Sequence, residues 1–168
     1  MTDILPLKVE SALREGAAHL LRLVAGTQQL APVFPLAPGA LACLADETVA
    51  LLDQFIYRFA KLQDAMGTRL FPALVAMITG SDEPRPFLDI LNQLEKNGIV
   101  VSAETWQRLR ALRNNVAHEY PDSNEQCTAT LNMLFSEWHQ LQNMFLAARA
   151  YYDAKLAPLC HSRATVTI

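Results

Sequence analysis

The chain has 168 residues, 51% of them hydrophobic and 18% charged, with a formal net charge of −3. So much apolar matter and so little charge exclude a disordered chain and predict one domain with a true core. The acidic balance argues against a protein that coats long stretches of nucleic acid, because that affinity comes from neutralising phosphates; it leaves room for a local basic cleft acting on one strand.

The opening stretch MTDILPLKVE lacks a basic region followed by an apolar run, so no signal peptide is expected. No apolar run reaches the roughly 18 residues of a membrane span. From residue 7 to 25, Val9, Leu13, Ala17, Leu20, Leu21 and Val24 recur at steps of three and four, which predicts a first helix that Gly26 can end. His19 lies beside that face and reads as a boundary residue. Residues 27–39 carry Pro32, Pro35 and Pro38 and form a connector no helix can cross. A short turn is expected at 40–44.

Asp46 reads as the N-cap of a long helix, with Glu47 in its first turn. Leu51, Leu52, Phe55, Ile56, Phe59, Leu62, Met66, Leu70 and Leu74 make its apolar stripe. Pro72 lies within that pattern and predicts a kink or break near Arg69. TGSDEPRP is a loop. A helix follows from about 86 to 96, closed by the Asn97-Gly98 pair. Ser102 opens the next helix, which runs to about Tyr120 and packs through Trp106, Leu109, Leu112 and Val116. Pro121 interrupts the chain, and Ser123-x-x-Gln126 resembles a capping box for a last long helix. That helix packs through Leu131, Leu134, Phe135, Trp138, Leu141, Met144, Phe145 and Leu146 and is expected to end before Pro158. Trp106, Trp138, Met66, Met77, Met133 and Met144 read as packing residues. Only the short Ile99-Val100-Val101 run hints at a strand. The expected fold is all-α, an antiparallel bundle of four to five helices in a single domain (1–157), followed by a tail (158–168).

Cys43, Cys127 and Cys160 form no C-x-x-C pair, and their odd number leaves no complete disulfide set. Reduced thiols and a cytoplasmic location are expected. His19, His118, His139 and His161 lack zinc-site spacing, so neither a metal nor another cofactor is expected.

The chemistry gathers in RLRALRNNVAHEYPD, residues 108–122. On an ideal helix Arg113 and Tyr120 drift apart by only about 20°, and Asn114 and His118 share a face. Arg113 and His118 stand roughly 140° apart around the axis, so they converge only against a concave partner. Histidine exchanges protons near neutrality, and arginine stays charged and grips phosphate through paired N–H groups. Together they suit RNA cleavage: His118 moves the proton of the 2′-hydroxyl or of the leaving 5′-oxygen, and Arg113 steadies the phosphorane-like charge. The same residues equally suit a plain helix end in which His118 meets the last carbonyls and Arg113 pairs with Glu119 or Glu104.

Arg113, four residues, His118, one residue and Tyr120 reproduce the R-x4-H-x-Y signature of HEPN domains, with Asn114 directly after the arginine. The sequence resembles HEPN-type ribonuclease toxins that are paired with a minimal nucleotidyltransferase antitoxin. FIYRFAKLQDAMGTRLFPAL (55–74) and FLDILNQLEKNGIV (87–100) share that look, and the resemblance covers about residues 46–150. It implies a homodimer in which two such helices face each other across one RNA-cleaving cleft. It also implies Arg113, Asn114, His118 and Tyr120 as site residues, and Tyr120 as the acceptor of AMP from the antitoxin. A bulky anion there would block the groove and repel phosphate. Arg58 and Asp64, at positions where such domains place polar residues facing the motif, and Arg108 and Arg110 are weaker candidates for the RNA track. Arg58 and Asp64 suit an ion pair or a solvated face as well. The competing expectation is a non-catalytic helical partner of the nucleotidyltransferase.

Overall fold

The computed structural model describes residues 4–119 and 125–159. Among the described residues there is no strand. The helices are α1 (Ile4–Leu30), α2 (Asp46–Ala65), α3 (Phe71–Thr79), α4 (Phe87–Lys96), α5 (Ala103–Glu119) and α6 (Glu125–Tyr151). A π-helical turn, Met66–Leu70, links α2 to α3 without a break, so the two form one rod. The fold is the expected all-α bundle, built of five rods. α1 runs antiparallel to the α2–α3 rod: Glu15 pairs with Arg69 and His19 with Arg58. It is also antiparallel to α6, where Gly16 faces Phe145 and the Tyr152 hydroxyl donates to Glu10 at 3.1 Å.

Several boundaries differ from expectation, each for a physical reason. α1 continues through Gly26 to Leu30. Glycine inside a helix costs about 1 kcal/mol against alanine, while the buried Leu23, Thr27 and Leu30 hold the same helix to the core and outweigh it. Pro6 is tolerated in the first turn, where its missing N–H has no helical acceptor. Asp46 is the first residue of α2 rather than its cap; Ala45 precedes it with no side-chain cap, and Asp46 and Glu47 act through their charge. The Ile99-Val100-Val101 run is no strand. Ile99 and Val100 are buried behind α4, where Gly98 at φ 70° lets the Gly98 and Ile99 N–H groups bond Glu95 and Leu94 carbonyls at 3.0 and 2.9 Å. Met133 is half exposed rather than packed.

The two prolines expected to break helices are both absorbed by the same device. The Phe71 N–H bonds the Met66 carbonyl, and the Ala157 N–H bonds the Tyr152 carbonyl, each five residues back. Pro72 and Pro158 each follow two residues after a π-helical turn, Met66–Leu70 and Tyr152–Leu156. A proline ring collides with the carbonyl four residues before it. Widening the preceding turn by one residue moves that carbonyl aside, so the rod continues. Helical geometry therefore persists through Pro158 to Leu159, past the expected end.

The proline-rich connector is hydrogen-bonded to α6 through Asn132. The Asn132 amide accepts from the Leu36 N–H at 2.7 Å and donates to the Leu36 carbonyl at 2.9 Å. Beside it, Phe34 stacks on Phe135 with ring centroids 3.8 Å apart. Leu36 is buried, so losing the amide orphans two backbone groups. Asn132→Ala is expected to lower the unfolding free energy by about 1–3 kcal/mol, read by urea denaturation. A loss under roughly 0.5 kcal/mol would show that water takes over both bonds.

Candidate functional site

α5 is fixed at its start by two caps. Ser102 Oγ accepts from the Thr105 N–H at 3.0 Å, and the Glu95 carboxylate accepts from the Ala103 N–H at 3.0 Å. Trp106, Leu109, Leu112 and Val116 are all buried, which sets the rotation of the helix about its axis. That rotation leaves Asn114 and His118 exposed and Arg113 at the boundary.

Arg113 reaches across to the last turn of α2. Its Nη1 donates to Asp64 Oδ1 at 2.5 Å, and its Nε and Nη2 donate to Asn114 Oδ1 at 3.2 and 3.0 Å. The guanidinium is thus held on two sides, with N–H groups still available for a phosphate. Asp64 is 53% exposed; a pair this wet contributes only about 0.2–1 kcal/mol. Its consequence is orientation, not stability. Asp64 itself stands where α2 enters the π turn, its carbonyl accepting from Thr68 Oγ1 at 2.7 Å.

Among the remaining expected residues, Arg110 lines the same cleft as Asp64 and Arg113. Arg108 turns to α6 and donates to Glu137 at 2.8 Å. Arg58 turns to α1, its Nη1 3.2 Å from His19 Nδ1. Tyr120, Pro121 and Ser123 lie outside the described residues, as do Cys160 and His161. His118 lies one and a half turns beyond Arg113 on α5, and no contact within the described chain brings the two together.

The cleft, of about 170 Å³, is also lined by Gln63, Gly67 and Trp106. Gln63 was not singled out by sequence, yet a signal was present. It sits four residues after Phe59 and three before Met66, both fully buried, so an amide occupies a place that the period assigns to the core. Trp106, expected as packing, does pack, between Phe71 and Phe87 with ring centroids 4.9 and 5.9 Å away.

Away from this cleft, His19 has its pKa lowered, first by burial and then by Arg58, against the opposing pull of Glu15; Lys61 adds to the lowering. The folded chain therefore prefers neutral His19, and the unfolded chain takes up its proton first. Stability from this group is full above the unfolded value of 6.5 and falls as pH drops below it, until the folded form also protonates. Thermal midpoints measured from pH 7.5 down to 5 are expected to decline less steeply in His19→Gln than in the parent chain. An unchanged slope would remove His19 as the cause.

Comparison with models of known families, with curated proteins and with solved structures yields no match. Among the described residues no helix is long and apolar enough to cross a membrane.

Proposed function

We propose that this chain is a metal-independent endoribonuclease of the toxin type, acting as a homodimer whose two α5 helices build one composite cleft. The observation that carries the reading is the held guanidinium of Arg113, steered by Asp64 and Asn114, on the same helix end as an exposed imidazole at His118. The HEPN-like signature joins these residues to Tyr120.

In this reading His118 takes the proton of the ribose 2′-hydroxyl or delivers one to the departing 5′-oxygen, and water carries the other proton. The 2′-oxygen then forms its bond to phosphorus as the bond to the 5′-oxygen breaks, leaving a 2′,3′-cyclic phosphate and a 5′-hydroxyl. Arg113 binds the phosphate and offsets the charge that builds on its oxygens. Asn114 orients Arg113. Protons move through His118 and water, and charge is stabilised by Arg113, so the reaction as drawn needs no cofactor. A minimal nucleotidyltransferase partner would silence the cleft by placing AMP on Tyr120.

The test is incubation of the purified, unmodified protein with several RNAs in EDTA, with analysis of the product ends. Cleavage to 2′,3′-cyclic phosphates is expected. No cleavage of any RNA would favour the competing role, a non-catalytic helical partner of the nucleotidyltransferase.

A further inference from the structure

Thr68 and Phe87 line the cleft beside Arg113, and both also line a larger groove of about 860 Å³. The walls of that groove are the start of α1, the π turn, α3, the loop 80–86 and the start of α4. Among the described residues, cleft and groove together are lined by five cationic residues (Lys8, Arg69, Arg85, Arg110 and Arg113) and three acidic ones (Asp64, Asp82 and Glu83). This local excess of positive charge stands against a net −3 for the whole chain. Arg113 is compensated by Asp64, and Arg69 by Glu15 on α1. Lys8, Arg85 and Arg110 form no ion pair with any described residue. Unmatched cations in adjoining hollows of an acidic protein suit an anionic ligand, and their spread over both suits a long one.

We infer that cleft and groove form one track for single-stranded RNA, running from the phosphate held by Arg113 past Arg110 and the π turn into the groove between α1 and α4. The inference rests on the ribonuclease reading for RNA as the substrate. Arg110 stands three residues before Arg113 on α5, roughly 4.5 Å along the axis, so its long side chain can take a neighbouring phosphate of the same strand. Beyond the π turn, Arg85 and Lys8 offer charge for further phosphates. Much of the remaining wall is apolar and open. Ile4 and Leu7 are 55% and 64% exposed, and Phe87 is only partly buried. Unpaired bases lay their flat faces on such surface while the backbone follows the charges.

The backbone is shaped to the same end. The π turn, a feature common at functional sites, holds Thr68 and Arg69 in succession, both exposed. Thr68 lines both hollows and Arg69 the larger one. The widened turn thus absorbs Pro72 and also carries the junction between cleft and groove.

The experiment is equilibrium binding of fluorescein-labelled, fully 2′-O-methylated oligonucleotides of two and eight residues, read by anisotropy over a range of salt. Without a 2′-hydroxyl they cannot be cleaved, so binding is measured apart from catalysis. The long strand is expected to bind about tenfold or more tighter than the short one, with a salt slope steeper by about 0.7 for each further phosphate contacted. Lys8→Ala/Arg85→Ala should flatten that slope by about 1.4 and weaken the long strand about tenfold, while leaving the dinucleotide unchanged. Arg22→Ala/Lys96→Ala removes the same charge from positions that line neither hollow, and should bind both strands as the parent does. A Lys8→Ala/Arg85→Ala protein equal to the parent would leave the groove to an apolar partner and overturn the proposal. Equal losses from the two double variants would overturn it too, as would a parent that binds neither strand. The parent's own salt slopes decide the matter even where a variant fails to fold, since equal slopes for the two strands would sink the track. Groove-dependent binding without cleavage of ordinary RNA would sink the ribonuclease reading alone. Cleavage of ordinary RNA with no dependence on Lys8 and Arg85 would sink the track alone.

Discussion

His118→Ala is expected to slow RNA cleavage by about 10²- to 10⁴-fold, the usual contribution of a positioned acid–base group. Arg113→Ala should cost at least as much, because it removes charge stabilisation at the transition state. Both variants should fold. His118 is exposed, and the ion pair of Arg113 with Asp64 is too wet to matter for stability. Circular dichroism and thermal midpoints would verify this before rates are compared. A rate for His118→Ala equal to that of the parent chain would remove the imidazole from the mechanism.

The same two variants test the composite cleft. Within one chain the guanidinium pairs with Asp64 on α2; in the proposed reading the imidazole that works with it comes from the second copy. Subunits of Arg113→Ala and His118→Ala, each strongly slowed alone, should regain faster cleavage when refolded together, since a mixed dimer holds one intact arginine and one intact histidine across its seam. Mixtures no more active than the separate variants, at concentrations where mixed dimers are demonstrated, would show that each chain must supply both groups itself.

Gly16→Ala is expected to destabilise the bundle by about 1–3 kcal/mol, the range for overpacking a filled core. The sign is the informative part. In a helix interior this exchange ordinarily stabilises by about 1 kcal/mol. Here the new methyl carbon would lie 2.3 Å from Phe145 Cε2. Phe145 is only 1% exposed, so its ring cannot swing clear without disturbing its neighbours. For a chain of this length each kcal/mol corresponds to about 2–4 °C in the thermal midpoint. Adding Phe145→Leu should recover much of the loss in the double variant, because it removes the colliding edge. Additive losses in the double-mutant cycle would mean that the strain lies elsewhere.

Much of the architecture was legible in residue order. The stripe from Leu52 to Leu74, the packing set of α5, and the Asn97-Gly98 stop each state a local rule that tertiary contacts obey. So does the placement of Arg113, Asn114 and His118 away from the apolar side of α5, since four buried residues at helical spacing leave those positions to the rim. Where the reading missed, a local rule met a compensation that only the assembled bundle supplies. Gly26 was a plausible helix end until burial on either side of it outweighed its flexibility. Pro72 and Pro158 were plausible breaks, but a one-residue widening of the turn before each is cheaper than exposing the apolar face beyond it.

By itself, the order of residues determined the helical class, a range of four to five helices and the clustering of Arg113, Asn114 and His118 on α5, because hydrophobic period and side-chain type are properties of the chain. Only tertiary structure decided that Arg113 meets Asp64, that Arg58 and Arg108 turn to other helices, and that Thr68 and Phe87 line both the cleft and the larger groove. Residues 49 positions apart are brought together by how the rods pack, and no local pattern encodes which of several nearby arginines a carboxylate will face.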